Sequence, residues 1–125
     1  MDADQSAALV DAVRTAAAAR RTLRIVGRNS KAFLGRAAVA ADLLSVAAHR
    51  GIVNYEPQEL VITARAGTPL SDIKTLLAQH GQMLAFEPPH YGAHATLGGT
   101  IACNLSGPRR PYAGAARDFV LGVEI

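Results

Sequence analysis

The sequence has 125 residues, 50% of them hydrophobic, and a formal net charge of +3 from 13 lysines and arginines against 10 acidic residues. This length supports one compact domain with a single core. The weak charge is spread along the chain, which argues against a nucleic-acid-binding protein, in which basic side chains cluster. No apolar run is long enough to span a bilayer. Cys103 is the lone cysteine, which excludes an internal disulfide and is typical of a reducing compartment. We therefore expect a cytoplasmic protein with no transmembrane segment and no nucleic-acid partner.

The first half of the sequence predicts a helix and four strands. A helix is expected from residue 4 to residue 20, with Leu9, Val13 and Ala16 on one face. LRIV, from residue 23, predicts a short buried strand, and the polar residues 27–35 follow it as a loop. DLLSV and GIVNYEP are two further strand candidates, and ELVITARAG alternates with the period of a strand.

The second half predicts a further helix and then less regular structure. Thr68 is the candidate N-cap of this helix, Pro69 its first residue, and Gly81 follows its end. QMLAF predicts a strand, residues 97–105 a short helix, and RDFVLGVEI a final strand. Because a domain seldom ends within an apolar strand, we expect the chain to be a fragment of a longer protein.

The loop at residues 27–35, GRNSKAFLG, is the first candidate site and is called the first loop below. It lacks the glycine spacing of a Rossmann turn and the GK[ST] of a P-loop. It follows a strand and contains Arg28, Asn29, Ser30 and Lys31. Such a turn can direct successive backbone N–H groups toward an anion. An ordinary exposed turn would explain the same residues.

The second candidate site is FEPPHYGAHATLGGTIACNLSG, residues 86–107, called the second segment below. Its small residues face one side of a helix-like turn. Glycine lets a flat ligand or another backbone approach within van der Waals distance, where a Cβ would block it. The segment therefore predicts either a cofactor wall or close packing of a helix on a strand.

A metal site in the second segment is not expected. His90 and His94 have the spacing of zinc ligands on a helix, with Glu87 nearby. Pro88 and the glycine at position 92 disfavour a helix there.

Several motifs in order resemble the FAD-binding domain of the vanillyl-alcohol-oxidase / p-cresol-methylhydroxylase superfamily and, within it, the flavin subunits of bacterial glycolate oxidases. The motifs are IVGRNSKAFLGR, AGTPLSDI, FEPP, TLGGTIACNLSG and ARDFVLG. The resemblance extends from about Leu23 to the last residue. It implies an α+β fold, the N-terminal part of a p-cresol-methylhydroxylase-type FAD-binding domain, with a small sheet, flanking helices and the start of a second subdomain. Residues 1–125 would be this truncated domain, and the substrate domain would lie outside the chain.

The resemblance also implies a site for FAD. The first loop would hold the pyrophosphate, chiefly through backbone amides, and the second segment would line the flavin and ribityl side. The residues implied are Gly27, Arg28, Asn29, Ser30, Lys31, Ala32, Phe33 and Leu34 in the first loop, and Pro88, Thr96, Gly98, Gly99, Asn104 and Gly107 in the second segment. Many relatives attach the flavin to a histidine in the first loop, and none is present here, so the resemblance implies non-covalent FAD.

The activity implied is oxidation of a 2-hydroxy acid, glycolate to glyoxylate, with FAD as acceptor. The alternative is a non-catalytic or electron-relay subunit that keeps the flavin fold to assemble a complex. The implied partners are a second FAD subunit and an iron–sulfur subunit, through which the cytoplasmic protein could attach to the inner membrane. Catalytic residues are expected outside this chain. Because part of the domain would be missing, we expect the chain to self-associate.

Overall fold

The computed structural model describes residues 3–36 and 41–125. Within these ranges four strands, four α-helices and one 3-10 helix follow one another. They are α1 (Ser6–Ala18), β1 (Leu23–Val26), β2 (Asp42–Ser45), β3 (Ile52–Glu56), β4 (Val61–Ala64), α2 (Leu70–Gln79), α3 (Leu97–Cys103), α4 (Arg110–Ala113) and the 3-10 helix Ala116–Phe119. The predicted α+β class is confirmed. In the described part of the chain, no helix is both long and apolar enough to cross a bilayer.

The strands form two separate two-stranded sheets. β1 and β2 are parallel, whereas β3 and β4 are antiparallel with an irregular register between Ile52 and Asn54. All four strand predictions of the first half are confirmed, but β1 is less buried than predicted. Only Val26 of its residues is buried, and Ile25 is 68% exposed. A parallel pair requires a crossover connection, and the first loop begins that connection at the carboxyl end of β1.

The core lies between α2 and the antiparallel sheet. Leu70, Ile73 and Leu77 are buried on one face of α2, because positions i, i+3 and i+7 align along a helix. Tyr55 and Ile62, which are paired across β3 and β4, pack against this face. Burial of each large aliphatic side chain stabilises the fold by about 1.5–3 kcal/mol. The predicted buried face of this helix is confirmed.

The start of α2 differs from the prediction. Pro69, not Thr68, occupies the N-cap position, with extended backbone angles and no capping side chain. The Thr68 hydroxyl instead donates to the Gly51 carbonyl at 3.2 Å and accepts from the Gly51 N–H at 3.0 Å. Thr68 thus joins the end of β4 to the start of β3. The end of α2 agrees with the prediction, since Gly81 follows it with a φ of +66°.

Two predicted strands are wrong. Residues 82–86 form no strand, residues 117–119 belong to the 3-10 helix, and residues 120–125 have no regular structure. Both segments carry the apolar pattern of a strand, but a strand forms only where a neighbouring backbone accepts and donates its hydrogen bonds. Outside the named strands, the described chain has only isolated bridges, Ala3 with Arg50 and Pro69 with Thr96.

Helix α1 is shorter than predicted and less buried. Ala16 is buried, but Val13 is 46% exposed. The residues before the helix are held by Asp4, whose carboxylate accepts from the Ser6 N–H at 2.9 Å and from the Ser6 hydroxyl at 2.7 Å. Arg65 donates to the same carboxylate at 3.1 Å. These hydrogen bonds, those from Ser6 first, hold the pKa of Asp4 well below its usual range.

Candidate cofactor site

The first loop turns sharply after β1. Asn29 has a left-handed backbone, with a φ of +57°, which asparagine adopts more readily than most residues. Its side-chain oxygen accepts from Arg24 at 2.9 Å. The loop then closes through hydrogen bonds from the Ala32 N–H to the Asn29 carbonyl and from the Leu34 N–H to the Lys31 carbonyl. The loop is therefore a folded turn and not an extended linker.

The backbone donors at the start of the first loop fit an anion. Among the described residues, the N–H groups of residues 28–31 donate no hydrogen bond. A left-handed residue within a turn lets successive N–H groups converge on one point, where an anion such as a pyrophosphate is bound. The N–H groups of residues 28–31 are thus available to an anion, whereas those of Ala32 and Leu34 are used within the loop. The assignment of FAD to these residues stays a prediction.

Two contacts join the first loop to the second segment. A Cβ built at Gly27 would lie 2.5 Å from the hydroxyl oxygen of Thr96, so only glycine fits there without a shift. The ring of Phe33 meets the ring of Tyr91 edge to face, with centroids 5.0 Å apart. The fold therefore brings together the two segments that the sequence analysis singled out.

Thr96 is central to this junction. It is 2% exposed and is the N-cap of α3, where its hydroxyl oxygen accepts from the Gly99 N–H at 3.3 Å. Asn104 ends α3 in a left-handed conformation with a φ of +47°. A seven-residue helix separates the two residues, a rise of roughly 10 Å. Thr96 and Asn104 thus lie at opposite ends of α3, and Thr96 is the one in contact with the first loop.

The glycines of the second segment divide into two kinds. A Cβ at Gly98 would lie 2.8 Å from the Cβ of Ala66, and a Cβ at Gly107 would collide with the carbonyl oxygen of Glu87. These two glycines therefore serve close packing within the protein, the alternative that the sequence left open. Gly99 differs, because within 4 Å its Cβ would meet only the Thr96 hydroxyl, at 3.1 Å. Gly99 has space beside it for a ligand.

Two other predicted residues lie at different places in the site. Pro88 is buried in the loop that precedes α3. Arg28 lines an open cleft of about 400 Å³ together with Arg50, Ala3, Ala47 and Ala48.

Sequence reasoning missed a group of basic side chains at the same junction, called the basic cluster below: Lys31, Lys74 and His90. The Lys74 ammonium lies 2.8 Å from Nε2 of His90. Burial, followed by the positive charges of Lys74 and Lys31, lowers the pKa of His90. On the sequence alone, His90 is a candidate metal ligand and nothing more. No group of three or more His, Cys, Asp or Glu that could hold a metal ion occurs among the described residues.

Gly67 was also missed. A Cβ there would collide with the Val46 carbonyl oxygen and lie 2.7 Å from that of His49, to which the Gly67 N–H donates at 2.8 Å. The signal was available in AGTPLSDI, where a glycine stands two residues before the N-cap Pro69. This contact ties the end of β4 to the turn after β2.

The chain belongs to the FAD-binding domain family, whose model matches residues 2–125. It is 57% identical to the glycolate oxidase subunit GlcE of Escherichia coli over 124 residues, 99% of this chain and 35% of that protein. It is 31% identical over 74 residues, 59% of this chain, to the mitochondrial D-lactate dehydrogenase [cytochrome] 1 of Saccharomyces cerevisiae, of which the match covers 12%. The chain thus spans about a third of the length of the first relative. No solved structure matches the chain. The resemblance to flavin domains is confirmed, and FAD is the cofactor of this family.

Proposed function

We propose that this chain is the FAD-binding part of a flavin-dependent 2-hydroxy-acid oxidase or dehydrogenase subunit, with glycolate as substrate and glyoxylate as product. The observation that carries the proposal is the 57% identity to a glycolate oxidase subunit over 99% of the chain. The second relative is a D-lactate dehydrogenase. Glycolate and D-lactate are both 2-hydroxy carboxylates, so the two relatives share one reaction chemistry.

In this proposal the residues of the chain bind and orient FAD. The free N–H groups of residues 28–31 hold the pyrophosphate, and the open side of Gly99 accepts the ribityl or flavin part. When bound, FAD would accept the hydride from the α-carbon of the 2-hydroxy acid, while the hydroxyl group would lose its proton to a base outside this chain, giving a 2-oxo acid and reduced flavin. With no histidine in the first loop, the cofactor is bound non-covalently. Substrate-binding and catalytic residues then belong to other parts of the oxidase.

We place the chain in a complex with a second FAD subunit and an iron–sulfur subunit that remove the electrons. The first relative is itself named as a subunit. An electron-relay role without substrate oxidation would use the same FAD site.

The proposal is tested by titrating the chain with FAD and following flavin fluorescence. We expect saturable binding by the wild type and at least about tenfold weaker binding by Gly99→Glu, because the new side chain fills the open space beside α3. The Thr96 hydroxyl must shift slightly, because the new Cβ would lie 3.1 Å from its oxygen, and glutamate three residues after this N-cap completes a capping box. Circular dichroism checks that the fold is kept.

The matched control is Gly122→Glu, the same substitution at a glycine with nothing within 4 Å of its Cβ. It should bind FAD like the wild type. Absence of FAD binding by the folded wild-type chain would contradict the proposal, and equal loss in both variants would show that added negative charge, not the space at Gly99, governs binding.

A further inference from the structure

We propose that Lys74 and His90 join Lys31 in binding the pyrophosphate of FAD, and that His90 takes up a proton when the anion binds. The inference rests on the proposed function and deepens it, because it assigns phosphate-binding roles to two residues outside the first loop and the glycine motif.

The basic cluster is assembled from three separate elements. Lys31 lies in the first loop, Lys74 on the exposed side of α2, and His90 in the loop before α3. Lys74 and His90 are 16 positions apart, and the Lys74 ammonium donates to Nε2 of His90 at 2.8 Å. An imidazole nitrogen accepts this hydrogen bond only when it is unprotonated. The fold thus brings a neutral histidine into contact with a cation, next to a loop with free N–H groups.

Both lysines of the sequence, Lys31 and Lys74, are in this cluster. Neither forms an ion pair among the described residues, where each pair uses an arginine or a histidine as its cation. Glu87 lies 3.9 Å from Arg109, and no carboxylate of the described residues forms an ion pair with either lysine.

This unbalanced positive charge is the second reason for the proposal. Like charges held together without a carboxylate repel one another, and an anion relieves that repulsion. Lysine is a common phosphate ligand because its compact ammonium adapts to the oxygens. A pyrophosphate diester carries two negative charges, which the two lysines match.

The contact between Phe33 and Tyr91 fixes the cluster to the predicted phosphate site. Phe33 lies two residues after Lys31, and Tyr91 directly follows His90, so the edge-to-face rings hold the first loop against the loop before α3. The N–H group of Lys31 is itself among the free donors of the first loop. Backbone donors and side-chain cations therefore meet at Lys31.

The arrangement couples anion binding to a proton. Burial and the two charges that face His90, Lys74 from α2 and Lys31 from the first loop, lower its pKa. A bound pyrophosphate places negative charge beside the ring and raises that pKa. Since the bound state then holds more protons, affinity for the anion rises as the pH falls through the range between the two pKa values, and it is constant above both.

The test follows the ring proton resonances of His90 by NMR across pH, with a His90→Asn variant for assignment. We expect inorganic pyrophosphate and FAD to raise the pKa of His90, and riboflavin and glycolate to leave it unchanged. The signal of His80, which packs against Tyr55, should not respond to any of the four compounds. If riboflavin or glycolate changed the pKa of His90 and pyrophosphate did not, the assignment to pyrophosphate would be overturned.

A second measurement compares Lys74→Gln with Arg14→Gln, which removes the same charge from α1. We expect Lys74→Gln to weaken FAD binding about tenfold or more and to flatten its pH dependence, with riboflavin binding unchanged and Arg14→Gln close to the wild type. This inference would be overturned if Lys74→Gln bound FAD as tightly as the wild type and if pyrophosphate left the pKa of His90 unchanged. The FAD proposal would then still stand. If the wild type binds no FAD, the response of His90 to inorganic pyrophosphate still decides the inference.

Discussion

At the scale of single residues, Gly107 and Gly81 show how one backbone conformation serves two purposes. Both have positive φ, +75° and +66°, a region that L side chains enter at a cost of roughly 1–2 kcal/mol. Gly81 only ends a helix, and a Cβ there meets nothing within 4 Å. At Gly107 a Cβ would collide with the carbonyl oxygen of Glu87. The N–H group of Glu87 donates to the Ser106 carbonyl at 3.0 Å. Gly107 therefore combines a turn with a close approach of two backbones.

We predict that Gly107→Ala lowers the free energy of unfolding clearly more than Gly81→Ala. Gly81→Ala should cost about 1–2 kcal/mol from the backbone alone, and Gly107→Ala about 1–3 kcal/mol more from the steric conflict with Glu87. Urea unfolding followed by circular dichroism measures both variants. Equal losses would mean that the approach of Gly107 to Glu87 has no energetic weight.

At the scale of elements, the junction between β1 and α3 depends on the contact of Gly27 with Thr96. The Thr96 hydroxyl caps α3 by accepting from Gly99, and the same oxygen occupies the space in which a Cβ at position 27 would lie. One hydroxyl therefore both starts the helix and limits the residue that can begin the first loop.

A double-mutant cycle tests this junction. Thr96→Ala should cost about 1 kcal/mol through loss of the cap, and Gly27→Ala about 1–3 kcal/mol through collision. Together they should cost less than the sum, with a coupling of about 0.5–3 kcal/mol, because alanine at position 96 removes the obstructing oxygen. Thr96→Ser keeps the oxygen and should give no such relief. If the losses from Thr96→Ala and Gly27→Ala were additive, the contact with the Thr96 oxygen would be ruled out as the cause of the destabilisation by Gly27→Ala.

Local patterns predicted those elements whose partners lie nearby. The strands β1 to β4 and the helix α2 follow from apolar spacing and punctuation by glycine and proline. QMLAF is also mostly apolar but is irregular, because no neighbouring strand pairs with it in the described chain. Thr68 looks like an N-cap, yet it bonds to Gly51, 17 positions away. Such outcomes depend on tertiary contacts that a local pattern does not contain.

The same reasoning separates the predicted and missed parts of the site. The first loop and Thr96 could be named from ordered motifs, and the fold brings them together. Lys74 could not be named, because on the sequence it is one polar residue on the exposed face of a helix. Its relation to His90 arises only from the packing of α2 beside the loop before α3.

At the scale of the whole molecule, the C-terminal residues carry an unpaired strand pattern. Leu121 and Val123 stand at alternate positions of the irregular residues 120–125 and are 81% and 71% exposed, whereas Phe119 belongs to the 3-10 helix and packs against Phe86. Exposed alternating segments without a neighbouring strand are sites at which chains associate.

We predict that the chain self-associates through this segment. Sedimentation velocity should show an average mass that rises with protein concentration, and the double substitution Leu121→Asp and Val123→Asp should reduce the rise. Leu60→Asp is the control, because Leu60 is 77% exposed in the turn between β3 and β4. A clean monomer at every concentration would refute the prediction, and equal solubilisation by the control would show that the effect is not specific to the C-terminal segment.

The confinement of lysine to the basic cluster also matters for protein chemistry. Apart from the α-amino group, Lys31 and Lys74 are the only primary amines of the chain. An acylating reagent such as an N-hydroxysuccinimide ester would therefore modify only this surface and the α-amino group, and it would leave the arginines intact. A fluorophore or crosslinker could be attached beside the proposed phosphate site of the wild-type sequence without introducing a cysteine.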